Sequence, residues 1–305
     1  MNKKNIAIFV VTYNAEEHLK KNLESLLESK KHIKENVSIS INVINNYTVS
    51  FSLNNFLDKN NIKLFNNYLR PSFSTGHLSR NWNQGIILGF ENLISPVNDV
   101  VCLVQDDSIF KKNWINYIIE KHKTLDFITF GGGDQFHSYN VEHIKKVGLW
   151  DERFSNIGYQ EADYFTRSFI HNKNNISIND EMHFRVFNPL ENRVIEEDDD
   201  LIGYYRNDER HLESLKHHKT SLTIFHHKWG KKTNWDTVIS SKIKDKNVYY
   251  ILYPYFEKDI YLNNKTLPKK RIVTLWDFLM FLIEKNSLIY RIFKELEYQL
   301  KKLTN

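Results

Sequence analysis

The chain has one cysteine, Cys102, in 305 residues, so no internal disulfide framework can hold it together. Ten glycines and five prolines exclude collagen-like and low-complexity classes. Long hydrophobic runs are missing too. Ile6 to Val11 gives six apolar residues, too few for a secretory signal core, and no small-residue cleavage site follows. The late stretch Ile272 to Ile283 is short for a membrane span and carries Asp277 in its middle. A cytoplasmic location is the resulting expectation. Charge of one sign is not dominant: 42 Lys and Arg face 37 Asp and Glu, a net +5. No Lys/Arg stripe interleaved with aromatics appears, which counts against a nucleic-acid binder. The small excess still suits an anionic partner such as a nucleotide or a lipid headgroup surface. What is present is core material. Hydrophobic residues make up 41% of the chain and aromatics 14%, enough for one large domain or two modest ones.

Ile6 to Thr12 reads as a buried parallel strand. Asn14, three residues before Glu17, has the spacing of a helix capping box. Leu19, Leu23, Leu26 and Leu27 then recur at helical spacing. Further strands are predicted at Val37 to Ile44, Ile62 to Phe65, Asp99 to Gln105 and Asp126 to Phe130. Helices are predicted over Trp82 to Leu93 and Trp114 to Lys123. This alternation predicts an α/β, mostly parallel sheet with helices on both faces. Two more helices are expected at Asn140 to Lys146 and Gln160 to His171, and the acidic run Glu196 to Asp200 as a solvated loop.

Ligands of such sheets bind at the carboxyl ends of the strands. That rule singles out Thr12-Tyr13-Asn14, Asn45-Asn46 and Gln105-Asp106-Asp107. Each could equally be a strand-terminating turn; together they could line one edge. Asp106 and Asp107 are suited to a hard divalent cation, which takes oxygen ligands and often shares them with substrate phosphates. Glu161 alone reads as a first-turn helix acid favoured by the helix dipole. Cys102, inside a buried strand, reads as packing rather than as a nucleophile.

Several stretches in this order carry a resemblance. They are Val10-Val11-Thr12-Tyr13-Asn14, Ile44-Asn45-Asn46-Tyr47-Thr48, Asn81-Trp82-Asn83-Gln84-Gly85-Ile86 and Gln105-Asp106-Asp107. Gly148-Leu149-Trp150-Asp151-Glu152-Arg153-Phe154, Gln160-Glu161-Ala162-Asp163 with Arg167, and Lys228-Trp229-Gly230 follow. Over residues 5 to 235 the chain resembles the family-two glycosyltransferases of the GT-A fold, of the bacterial surface-glycan type. The resemblance implies a catalytic domain over 1–235, and the helical spacing of apolar residues from Ile272 onward adds a helical extension over 236–305. The resemblance also implies sugar transfer from a nucleoside-diphosphate sugar to a glycan or lipid-linked acceptor hydroxyl, with inversion, in capsule or lipopolysaccharide synthesis. Glu161 would then be the general base. Asp107 and His183 would hold Mn2+ or Mg2+, with His226 and His227 as alternatives to His183. Thr12, Tyr13, Asn14, Asn45, Arg80, Asp106 and Asp163 would contact the nucleotide sugar, with a uridine diphosphate donor slightly preferred. Arg80 also fits a plain exposed helix start.

The chain departs from the family pattern at three places. Gln105 opens the DXD-like motif, Asn45 replaces the usual nucleobase aspartate, and Gln160-Glu161 replaces the usual Glu-Asp pair. An asparagine can accept the N3–H of uracil or, flipped, donate to cytosine N3, so the base stays open. Two other readings remain. A sugar-nucleotide nucleotidyltransferase would need a Gly-rich basic loop after the first strand, and residues 12–17 have neither Gly nor Lys. A non-catalytic nucleotide- or glycan-binding module is favoured by Gln105 and Asn45. Apolar stripes beyond Arg271, with Lys and Arg nearby, fit either an interfacial helix at the inner membrane face or a helical pair packed on protein.

Overall fold

The computed structural model describes residues 3–33, 36–47, 49–67, 78–130, 135–154, 159–172, 176–177, 202–204, 221–222 and 224–225. The boundary expected at 235, the 236–305 extension, His183, His226, His227 and Lys228-Trp229-Gly230 lie outside them. The order is β1 (Lys4–Thr12), α1 (Glu16–Lys30), β2 (Val37–Asn45), α2 (Phe51–Lys59), β3 (Lys63–Asn66), α3 (Leu78–Phe90) and β4 (Val100–Gln105). Then come β5 (Ser108–Phe110), α4 (Trp114–Lys121), β6 (Phe127–Phe130), β7 (Phe136–Tyr139), α5 (Val141–Val147), α6 (Tyr159–Asn172), β8 (Ile176–Ser177) and β9 (Ile202–Tyr204).

Seven strands form one sheet in the order β3-β2-β1-β4-β7-β6-β8. β7 runs antiparallel to both β4 and β6, and the other pairings are parallel. β5 and β9 pair separately. This is the mostly parallel α/β architecture that the alternating pattern predicts. The two faces of β1 show why it needs helices on both sides. Ile6, Ile8 and Val10 pack with Leu19, Leu23 and Leu26 of α1 and with Trp114 and Ile118 of α4. Ala7, Phe9 and Val11 point the other way, onto Trp82, Ile86 and Phe90 of α3 and onto α5 and α6. Successive strand side chains alternate faces, so a strand apolar at every position must be covered twice.

α3 comes unusually close to the sheet. A Cβ added at Gly85 would lie 2.5 Å from Leu103 Cδ2, and one at Gly89 would lie 2.5 Å from Val101 Cγ2. Two glycines four residues apart thus clear one groove on the helix for β4.

Local details differ from expectation. α1 is not opened by an Asn14 box: its N-cap is Ala15, with no side-chain cap, and Asn14 has φ 48°. The left-handed geometry, which asparagine tolerates, turns the chain out of β1 and leaves the Asn14 side chain out of capping position. α3 starts at Leu78, earlier than Trp82, and ends at Phe90. α2, β5 and β7 are additions to the sequence-based reading. α2 is capped by Ser50, whose side chain accepts from Leu53 N–H.

Candidate functional site

The carboxyl ends of β1, β2 and β4 meet. Thr12 stands opposite Asn45, and Val11 opposite Gln105. Thr12 Oγ1 donates to Asp106 Oδ2 at 2.5 Å, and both residues are buried. Asp106 N–H donates to Val11 O at 3.2 Å, and Gln105 N–H to Gln135 O at 3.0 Å. Asp106 and Asp107 form the turn between β4 and β5, with Asp107 half-buried. Burying a carboxylate is costly without hydrogen bonds, and Asp106 has the threonine hydroxyl beside it.

On the β2 side the asparagines interlock. Asn45 Nδ2 donates to Tyr47 O and, at 3.0 Å, to Asn66 Oδ1, while Asn45 Oδ1 accepts from Tyr47 N–H at 3.2 Å. Asn46 donates to Thr12 O at 3.1 Å. Asn67 Nδ2 lies 2.8 to 3.3 Å from the side-chain oxygens of Asn46, Asn81 and Gln84, tying β3 to α3. The Asn45 turn sets Tyr47 edge-on to Tyr13, with ring centroids 5.7 Å apart. Tyr13 is half-buried and Asn14 exposed, so this end of the site offers aromatic surface to solvent.

Across the sheet, α3 and α6 meet at their amino-terminal ends. Ser79 Oγ donates to Gln160 Oε1 at 2.8 Å. Asn83 accepts from Trp150 N–H at 2.8 Å and donates to Trp150 O and Glu152 Oε1, pinning the 148–154 stretch to α3. Burial pushes the Glu152 carboxyl above its ordinary value, opposed by the Asn83 hydrogen bond and by the charge of Arg80. Arg80 itself is exposed. Glu161 is fully buried in the first turn of α6. Asp163, also fully buried, accepts from Arg167 Nε at 3.0 Å, and Arg167 Nη1 donates to Val147 O at 2.9 Å. Trp150 stacks on Tyr164 at 4.2 Å and 5°, and Tyr164 Oη donates to Gly148 O at 3.2 Å, so α6 also holds that stretch.

The structure therefore brings Thr12, Tyr13, Asn45, Asp106 and Asp107 to one edge. Arg80 and Glu161 belong to the ends of α3 and α6, and Asp163 is engaged inside α6 with Arg167. Cys102 is fully buried, and burial pushes its thiol far up, consistent with packing. Sequence reasoning passed over Asn22, a buried amide of α1 that donates to Gln105 O at 3.2 Å and Ser108 O at 2.8 Å. Its signal was a polar residue at position i+3 from Leu19 within an apolar helical stripe.

Among the described residues no group of three His, Cys, Asp or Glu gathers as a metal cage. The donor set fits a different arrangement. One turn carboxylate, with a partner carboxylate tied back to Thr12, suits a Mg2+- or Mn2+-type ion that takes its remaining ligands from phosphate and water. No helix among the described residues is long and apolar enough to cross a membrane.

No protein-family model and no curated protein matches the chain. Solved structures similar to it include residues 1–349 of TarS from S. aureus, at 12% identity and a TM-score of 0.44, covering 72% of this chain and 65% of that one. Another is the mannosyltransferase PcManGT from Pyrobaculum calidifontis with GDP-Man and Mn2+, at 10% identity and 0.42, covering 56% and 53%. A third is the catalytic domain of Drosophila beta1,4-galactosyltransferase 7 with xylobiose, at 15% and 0.46, covering 82% and 87%. The chain thus spans less than two thirds of the first two.

Proposed function

We propose that the chain is a GT-A-type glycosyltransferase that moves a sugar, with inversion, from a nucleoside-diphosphate donor to a glycan or lipid-linked acceptor hydroxyl. The observation that carries this reading is the convergence of Thr12, Asn45 and the Asp106-Asp107 turn on one strand-end edge, with Thr12 Oγ1 bonded to Asp106. The family motifs of residues 5 to 235 support it.

Asp107 would hold Mn2+ or Mg2+ together with the donor diphosphate, with His183 as the further candidate ligand. Such an ion supplies Lewis-acid neutralisation of the charge that builds on the departing diphosphate. Thr12 keeps Asp106 oriented at the β4 end. Tyr13 offers its ring to the nucleoside. Both N–H groups of Asn45 already donate, one to Tyr47 O in the turn after β2 and one to Asn66 Oδ1 of β3, so Asn45 meets a base only as an acceptor. That favours a uracil N3–H over cytosine N3. Glu161 would take the proton of the acceptor hydroxyl as that oxygen attacks the anomeric carbon, a single displacement that needs no enzyme nucleophile. Arg80 would lie within reach of donor phosphate or of Glu152.

The test is a panel of sugar nucleotides incubated with the purified chain and Mn2+, read by release of nucleoside diphosphate. Release dependent on metal, and abolished in Glu161→Gln with donor affinity retained, is the expected result. A product with retained configuration by proton NMR coupling would exclude this mechanism. No release or transfer from any donor, despite metal-dependent binding, would favour the binding-module reading.

A further inference from the structure

α1 sets three polar side chains on one face at i, i+3 and i+7: Asn22 and Ser29, both buried, and Ser25, half-buried. Each engages a different part of the segment that runs from β4 through β5 to α4. Asn22 Nδ2 donates to Gln105 O and Ser108 O. Ser25 Oγ accepts from Phe110 N–H at 3.0 Å and donates to Asn22 O at 2.7 Å. Ser29 Oγ accepts from Trp114 Nε1–H at 2.8 Å. Leu19, Leu23 and Leu26 beside them already supply the apolar contact, so burial alone does not call for an amide at position 22. The two carbonyls it joins are those immediately before Asp106 and immediately after Asp107.

We propose that Asn22 is a positioning residue for the Asp106-Asp107 turn, bridging its flanking carbonyls so that the Asp107 carboxylate is held ready for a diphosphate-bound divalent cation. This rests on the function proposed above. With its two N–H groups fixed on Gln105 O and Ser108 O, the amide holds the peptide planes on either side of the pair. Thr12 separately holds the Asp106 side chain. The turn is then held before any ligand arrives, which is how supporting groups raise the affinity of the ligands they orient.

The experiment compares the full chain with Asn22→Leu, Asn22→Ser and Ser29→Ala. Ser29→Ala breaks a buried bond on the same helix face but far from the turn. The probes are UDP with and without MnCl2, by titration calorimetry, and amide hydrogen exchange at Asp106, Asp107 and Ser108 in the metal-free protein. Asn22→Leu is expected to weaken UDP binding in Mn2+ about tenfold, to leave metal-free UDP affinity unchanged, and to speed exchange at the turn. Asn22→Ser, whose hydroxyl can donate one bond, should fall between and serves if Asn22→Leu does not fold. Ser29→Ala should lower the melting temperature without either effect. Equal loss of affinity in Ser29→Ala, or unchanged exchange and affinity in both Asn22 variants, would overturn the proposal. If the unaltered chain shows no gain in UDP affinity from Mn2+, the proposed function fails and this inference with it. A normal gain with indifferent Asn22 variants removes the inference alone.

Discussion

Thr12 donates its hydroxyl to a carboxylate that water scarcely reaches, and the bond joins the first strand to the fourth across 94 residues. Thr12→Val keeps the shape and removes the donor. Hydrogen bonds to charged groups are worth roughly 1.5–3 kcal/mol, so urea unfolding should show a loss of about that size. Its neighbour should behave oppositely. Asp107→Ala is expected to leave the fold intact and to abolish the gain in UDP affinity from Mn2+; unchanged affinity would remove Asp107 from the metal. Asn45 gives a third outcome at this scale. Asn45→Ala removes both the acceptor and the turn that sets Tyr47 against Tyr13. UDP should weaken more than CDP in a side-by-side titration, and equal, undiminished binding of both would exclude an edge contact.

At the scale of elements, α3 shows how tightly the site depends on packing below it. Gly85 belongs to the Asn81-to-Ile86 stretch that the sequence offered as a motif, but the sequence alone did not say why a glycine stands there. Leu103, two residues before Gln105, fills the space a Cβ would take. Gly85→Ala should cost roughly 1–3 kcal/mol by overpacking, measured by thermal or urea unfolding. Leu103→Val in the same chain should return part of it, since it removes the atom that clashes. β1, β2, β4 and α1 were legible in sequence from long apolar runs or periodicity, and the four-residue β3 and β6 from short apolar clusters ending at Phe65 and Phe130. β7 was not, because Phe136-His137-Ser138-Tyr139 is short and its two polar members are buried. Buried polarity erases the pattern that sequence reading depends on. The same holds for the site. The carboxylates and strand-end asparagines could be read, but Asn22 and the amide network around Asn67 could not. Their partners are backbone and side-chain oxygens brought close only by the fold.

For the molecule as a whole, two imidazoles, the half-buried His122 and the fully buried His143, set an acid limit. Burial pushes His122 down to about 4, with its Nδ1 at 2.9 Å from Leu125 O and its Nε2 at 2.9 Å from Ser138 Oγ. His143, stacked on Phe127 at 4.4 Å, lies well below its ordinary value for the same reason. In the unfolded chain both would take up a proton near pH 6.5, while the folded chain refuses it. Their contribution is therefore intact above about pH 6.5 and lost as the pH falls toward about 4. The melting temperature should drop across that interval, and His122→Gln should flatten the drop. An equally steep profile in that variant would place the acid sensitivity elsewhere.

The antiparallel strand β7 has a consequence for how the chain is made. β4 is apolar along Val100-Val101-Cys102-Leu103-Val104, and β1 covers only one of its edges. Its second neighbour, β7, begins at Phe136, after the turn, β5, α4 and β6. At 5–20 residues per second, a ribosome takes roughly 2 to 6 seconds to pass from Gln105 to Phe136. Until then β4 has an unpaired edge of the kind that recruits strands from other chains. Four residues, Phe136 to Tyr139, close that edge, so β7 protects the nascent chain from self-association before the site at the end of β4 has anything to bind.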